Sequence, residues 1–169
     1  MIGKILVQLF LCVFTTVVVG QTPSPSLVKK MRKAVAQNFP ENQIQLTDVS
    51  GDVTFEYGQL FQVLGQNELP LGYAFLGNAP SKTDTFDYLV VFDTKFIIKN
   101  IKVLVYREDY GGEIGSKRWL RQFTGKDPNA YFDYGQNIAA ISGATISVRS
   151  MTRAINSLLS DILKSPLHK

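Results

Sequence analysis

The sequence predicts a single α+β domain, an antiparallel sheet packed with an N-terminal helix, a short helix and a long C-terminal helix. Three observations predict it. Apolar residues recur at helical spacing near both ends of the chain, the period falls to two between Gln43 and Tyr106, and no internal repeat divides the 169 residues. With 45% hydrophobic and 19% charged residues, a chain of this length buries a core without staples and is too apolar to be disordered.

Met1 to Gly20 stands apart from that domain. Lys4 gives a short positive lead, Ile5 to Val19 is an almost unbroken apolar run, and Val18-Val19-Gly20 offers small residues where a signal peptidase would cut before Gln21. The expectation is a signal peptide over residues 1–20 and an exported, extracytoplasmic chain, periplasmic or membrane-associated. A retained anchor is the alternative, because a membrane span needs about 20 apolar residues. Cys12 lies inside the run, after Leu11 rather than the small residue of a lipoprotein site. Cleavage leaves no cysteine, which suits an oxidising compartment. It also leaves 17 Lys+Arg, Lys4 being lost, against 14 Asp+Glu.

Gln21 to Ser26 reads as a Pro/Ser linker, and the domain is expected over 27–169. Leu27, Met31 and Val35 recur every four residues, with Val28 and Ala34 widening the stripe and Pro40 ending it. Lys29, Lys30, Arg32 and Lys33 largely avoid the stripe, as on a solvated helix face. Weak attraction to an anionic membrane is the second reading of these cations. Ile44/Leu46, Leu60 to Leu64 and Leu71 to Leu76 read as strands, and Asn78 to Thr85 as a polar loop. Asp87 to Phe92 and Phe96 to Tyr106 form a hairpin turning at Asp93-Thr94-Lys95. In its second strand Ile101, Val103 and Val105 share one face and Asn100 and Lys102 the other. A Gly-containing loop, Arg107 to Gly115, precedes a short helix from about Ser116 to Phe123, and Gly125 to Gln136 is irregular. The last helix runs from about Ala144 to Leu163, with Val148, Met151, Ile155, Leu158, Leu159 and Ile162 on its buried stripe.

Composition narrows the chemistry. One Cys and one His (His168) cannot assemble a zinc site, an iron–sulfur cluster or a haem attachment. A Ser/His or Cys/His nucleophilic pair would need His168, near the carboxyl end, to fold back. Redox chemistry in such a chain falls to an organic cofactor.

The segment Ile141-Ser142-Gly143-Ala144-Thr145-Ile146-Ser147 opens the last helix. Unpaired N–H groups and the positive end of the helix dipole favour a phosphate there. Gly143 and Ala144 add almost no bulk, and Ser142, Thr145 and Ser147 supply three hydroxyls. Two readings fit the spacing: a phosphate site, or an ordinary Ser/Thr cap that needs no ligand.

ISGATIS entering a terminal helix resembles the flavin-attachment motif of the FMN-binding domain family, which includes the small flavin subunits of Rnf complexes and of the sodium-translocating NADH:quinone reductase. The hairpin YLVVFDTKFIIKNIKVLVYRED and the following YGGEIGSKRWLRQF resemble that family's strand pair, glycine loop and short helix, so the likeness covers about Tyr73 to Ile155. The resemblance implies FMN joined to Thr145 by a phosphoester, installed by a flavin transferase from FAD. Ser142, Gly143, Ala144 and Ser147 would line the attachment site. It implies an electron carrier more than a stand-alone enzyme, partnered by a membrane redox complex or an exported reductase. The pattern departs at Ala139, where the family usually has Asp; Asp133 is the nearest upstream carboxylate. A noncovalent FMN reductase and a cofactor-less binding module of the same fold are the alternatives.

Other residues have two readings each. Gly111, Gly112 and Gly115 let a backbone approach a flavin ring or only shape a turn. Lys117 and Arg118 offset the charge of a phosphate or reduced flavin, or are a solvated helix start. Trp119 stacks on the ring or joins Leu120 and Phe123 in the core. Tyr131, Phe132 and Tyr134 lie where they would flank a ring, and Glu108, Asp109 and Glu113 form an acidic loop without a paired catalytic context.

Overall fold

The computed structural model describes residues 23–40 and 43–168; the signal segment expected over residues 1–20 lies outside them. The first helix, α1 (Pro25–Ala36), starts inside the expected linker. Ser24 caps it by accepting the Leu27 N–H at 3.3 Å, and Pro25 takes the first position, where no N–H is needed. Five strands follow: β1 (Gln45–Asp48), β2 (Gly58–Leu64), β3 (Pro70–Pro80), β4 (Thr85–Phe92) and β5 (Ile98–Tyr106). Each pairs antiparallel with its neighbour in sequence, giving one sheet of order β1-β2-β3-β4-β5. After β5 come the short helix α2 (Lys117–Leu120), continued by a 3-10 turn over Arg121–Phe123, and the long helix α3 (Thr145–Lys164). Among the described residues no helix is long and apolar enough to cross a membrane.

The sheet lies between two apolar layers. On one side Met31, Ala34 and Val35 of α1 join Val63, Ala74, Leu76, Leu89 and Val91. On the other, Val148, Met151, Ile155, Leu158 and Ile162 of α3 pack over Leu60, Phe75, Phe86, Tyr88 and Val90. Strand β4 feeds both layers, which explains its continuous apolar run and the burial of nearly every residue in it.

Three strand expectations are corrected. Asn78 is not in a loop: β3 runs to Pro80, Asn78 pairs with Asp87, and only 81–84 turn. Polar residues are tolerated there because Asn78 Nδ2 donates to Asp87 Oδ1 at 2.7 Å and Arg107 pairs with the other oxygen. Phe96 is not in β5. It sits at φ 59° in the turn begun by Asp93, whose Oδ1 accepts the Lys95 and Ile97 N–H groups, and it is buried against Tyr73. Val105 does not share a face with Ile101 and Val103. Tyr88 pairs with Val103 but Asp87 with Val105, so a bulge at Leu104 turns Val105 toward the α1 side and brings Tyr106 opposite Phe86, on the α3 side.

Candidate functional site at the start of the last helix

The bulge at Leu104 positions the site. Tyr106, now on the α3 side, donates its hydroxyl to the Tyr110 carbonyl at 3.0 Å and lies 3.1 Å from Ser147 Oγ. A phenol has one proton, so Ser147 is the donor of the second bond. Ser147 is 3% exposed, and its hydroxyl ties α3 to the end of β5 at the wall of the cleft that holds Thr145.

The turn before α3 is closed by the Ala144 N–H donating to the Ile141 carbonyl at 3.1 Å, with Gly143 at φ 78°. The residue at the cap position is Ala144, and no side chain caps the helix. The Ser/Thr-cap reading is therefore corrected: Ser142 and Thr145 are exposed, and neither satisfies the first-turn N–H groups. No acidic residue stands in that turn, so the positive end of the helix is unopposed.

The loop after β5 seals against this end. Gly111, at φ 81°, lies so near Ala144 that a Cβ there would approach the Ala144 Cβ to 2.8 Å. Gly112 and Gly115 bound a 3-10 turn, and a Cβ added to either would meet only ordinary van der Waals neighbours, Tyr106 and Val103 respectively. The opposite wall is the β3–β4 turn. Glu108 clasps it, accepting from Ser81 Oγ (2.7 Å), the Thr83 N–H (2.6 Å), Thr83 Oγ1 (2.9 Å) and the Asp84 N–H (3.2 Å). These bonds, led by the Thr83 N–H, hold its carboxyl at about 2, well below the ordinary 4.5. An open cleft of ≈ 520 Å³ results, lined by Lys82, Thr83, Tyr106, Tyr110, Thr145 and Ile146 among others.

A second cleft, ≈ 530 Å³, lies beyond Ile146, between α3 and residues 131–134. Asn156 builds it by bonding both the N–H and the carbonyl of Phe132, at 2.9 and 2.8 Å. Arg149 lies over the Tyr134 ring, 4.8 Å from its centroid, and Tyr131 is 72% exposed. Trp119 takes the core reading: it is buried edge-on to Phe123, and its Nε1 donates to the Ala139 carbonyl at 2.8 Å. Gln122 Oε1 accepts the Ala139 N–H at 2.7 Å, so both backbone groups of Ala139 are held. Lys117 is exposed on α2 and does not line the cleft at Thr145; Arg118 borders a separate hollow with Trp119 and Ala139. No local pattern points to Lys82 and Thr83, which arrive on a distant hairpin, or to Tyr106, whose side depends on the bulge.

An α+β domain that offers uncapped N–H groups, a free hydroxyl and small residues at one helix end has a site that fits a phosphate-bearing group. Residues 82–160 match the FMN-binding domain family, and FMN is the cofactor that this match supports. Among solved structures the chain is similar to NqrC of Shewanella oneidensis, with 17% identity and a TM-score of 0.46, over 64% of this chain and 62% of that one. The chain thus spans less than two thirds of that protein. No curated protein matches the chain in sequence.

Proposed function

We propose that the chain is an exported flavoprotein of electron transfer, with FMN joined to Thr145 through a phosphoester. The observation that carries this reading is the exposed Thr145 hydroxyl at an uncapped helix start, within the segment matching the FMN-binding domain. The first-turn N–H groups of α3 would hold the phosphate, Gly143 leaves its approach open, and Ser142 stands beside it. Attachment needs a flavin transferase with FAD: the Thr145 oxygen bonds to the flavin-side phosphorus, the pyrophosphate bond breaks, AMP leaves and the hydroxyl proton is lost. When bound, the flavin supplies reversible electron uptake, while the chain supplies position, partial exclusion of water and charge. Export over residues 1–20 and a membrane redox complex or exported reductase as partner belong to the same proposal.

Coexpression with a flavin transferase tests it. The wild-type chain should gain the mass of FMN less water, survive denaturation with it, and lose it in Thr145→Ala. An unmodified wild-type chain under those conditions overturns the covalent claim. Ala139, which has no carboxylate where the motif usually has Asp, favours a second reading in which FMN binds without a bond; flavin released in full by denaturation would select it.

A further inference from the structure

Thr145, Arg149 and Arg153 are four residues apart and lie along one face of α3, with neighbouring Cβ atoms about 6 Å apart. A group fixed on Thr145 therefore has Arg149 as the next side chain along its own helix face. Arg149 is an unfavourable residue for a helix start on electrostatic grounds, since its charge adds to the positive end of the dipole. Among the described residues the only ion pair is Arg107–Asp87, so neither Arg149 nor Arg153 is held in a salt bridge, and Asp133 is the one carboxylate lining their cleft. Arg149 is nevertheless ordered: its guanidinium rests on Tyr134, in a cleft whose far wall is pinned by Asn156. Two unpaired cations and two tyrosines along one groove suit a planar, aromatic group that becomes anionic. The cleft on the other side of Ile146 sets one cation, Lys82, against the carboxylate of Glu108, whereas this one sets two, Arg149 and Arg153, against the single carboxylate of Asp133.

We propose that the flavin ring lies in the Tyr131–Tyr134–Arg149–Arg153 cleft, with Arg149 as the positioning charge for its pyrimidine edge; this rests on the FMN reading above. A cation there opposes the single negative charge that two-electron, one-proton reduction leaves on the ring.

The test uses chain loaded with flavin in the presence of a transferase, checked by native mass and titrated with dithionite against a reference dye. Arg149→Ala is expected to lower the reduced-to-oxidised ratio at fixed potential about tenfold, or about 30 mV for a two-electron couple, and Arg149→Lys to retain most of the wild-type value. Tyr134→Leu should raise flavin fluorescence by removing an adjacent quenching ring. A potential that answers to Lys82→Ala and not to Arg149→Ala, or fluorescence that follows Tyr110→Leu instead of Tyr134→Leu, places the ring in the other cleft and overturns the proposal. A wild-type chain that gains no flavin mass overturns the FMN reading itself, before any titration.

Discussion

Gly111 and Ala144 meet so closely that a Cβ added to Gly111 would stand 2.8 Å from the Ala144 Cβ. The loop leaving β5 and the residue opening α3 thus fit only if one has no side chain, and the φ of 81° at Gly111 favours glycine independently. Gly111→Ala is expected to destabilise the fold by about 2 kcal/mol and to reduce flavin loading at Thr145. Urea unfolding and intact mass measure the two effects. An unchanged midpoint would mean that the loop and helix separate without cost.

Trp119 and Ala139 make the next prediction. Trp119→Phe keeps most of the buried ring area but leaves the Ala139 carbonyl without its indole donor. A loss of about 1–2 kcal/mol is expected, with faster amide exchange over 138–141. Equal exchange in the two proteins would assign the bond no part in holding this segment.

Glu108 makes the β3–β4 turn sensitive to acid. Its carboxyl titrates at about 2 in the fold and at an ordinary 4.5 when the chain is unfolded. A depressed carboxylate stabilises at pH above its unfolded value, and that contribution fades as pH falls from about 4.5 through about 2. Exchange at the Thr83 and Asp84 N–H groups, corrected for intrinsic rate, should therefore accelerate over this window. Glu108→Gln should abolish the pH dependence; a persistent one would locate it in another group.

Asp87 is buried in β4, with Asn78 on one oxygen and Arg107 on the other. Arg107→Ala leaves a buried carboxylate with one neutral donor. Because Arg107 is 36% exposed, the expected cost is about 2 kcal/mol, below that of a fully buried pair. Asp87→Asn in the same chain should recover part of it, which a double-mutant cycle reads directly.

Tyr88 carries a buried hydroxyl with no hydrogen-bond partner among the described residues, and burial raises its pKa far above the usual phenol range. Tyr88→Phe removes that cost while keeping the ring packed against Gly77 and Phe75. An increase in stability of up to about 1 kcal/mol is expected. Destabilisation by a comparable amount in thermal unfolding would show that the hydroxyl has a partner, such as a buried water.

The readable parts of the sequence were those where one force dominates. The four-residue stripe of α1 and the buried stripe of α3 mark helices because burial alone sets their period, and the apolar run of β4 marks a strand covered on both faces. The unreadable parts were settled by competition. Ile101, Val103 and Val105 alternate without a break, so nothing in the pattern reveals the bulge at Leu104 that decides which side Tyr106 takes. Asn78 looks like loop until Thr85 and Asp87 are seen to accept from its side chain, with Arg107 on the other Asp87 oxygen. Ser142 and Thr145 look like caps because those residue types usually are; here the turn puts Ala144 in the cap position instead. The family resemblance singled out Thr145, but the walls around it are tertiary: Lys82 and Thr83 reach it only through the clasp of Glu108.

The strand order has a consequence for how such a site can change over generations. Every strand is hydrogen-bonded to its neighbour in sequence, and every strand is complete before the stretch from Arg107 to Ala144 begins. No strand-to-strand pairing spans that stretch, but it is moored to the sheet: the Ile98 N–H donates to the Lys126 carbonyl at 2.9 Å, the Ile98 carbonyl accepts the Gly125 N–H at 2.8 Å, and Ile114, Phe123, Phe132 and Ile138 are buried in the core. A change of length between those moorings alters the surroundings of the Thr145 hydroxyl while leaving every strand register of the meander beneath in place.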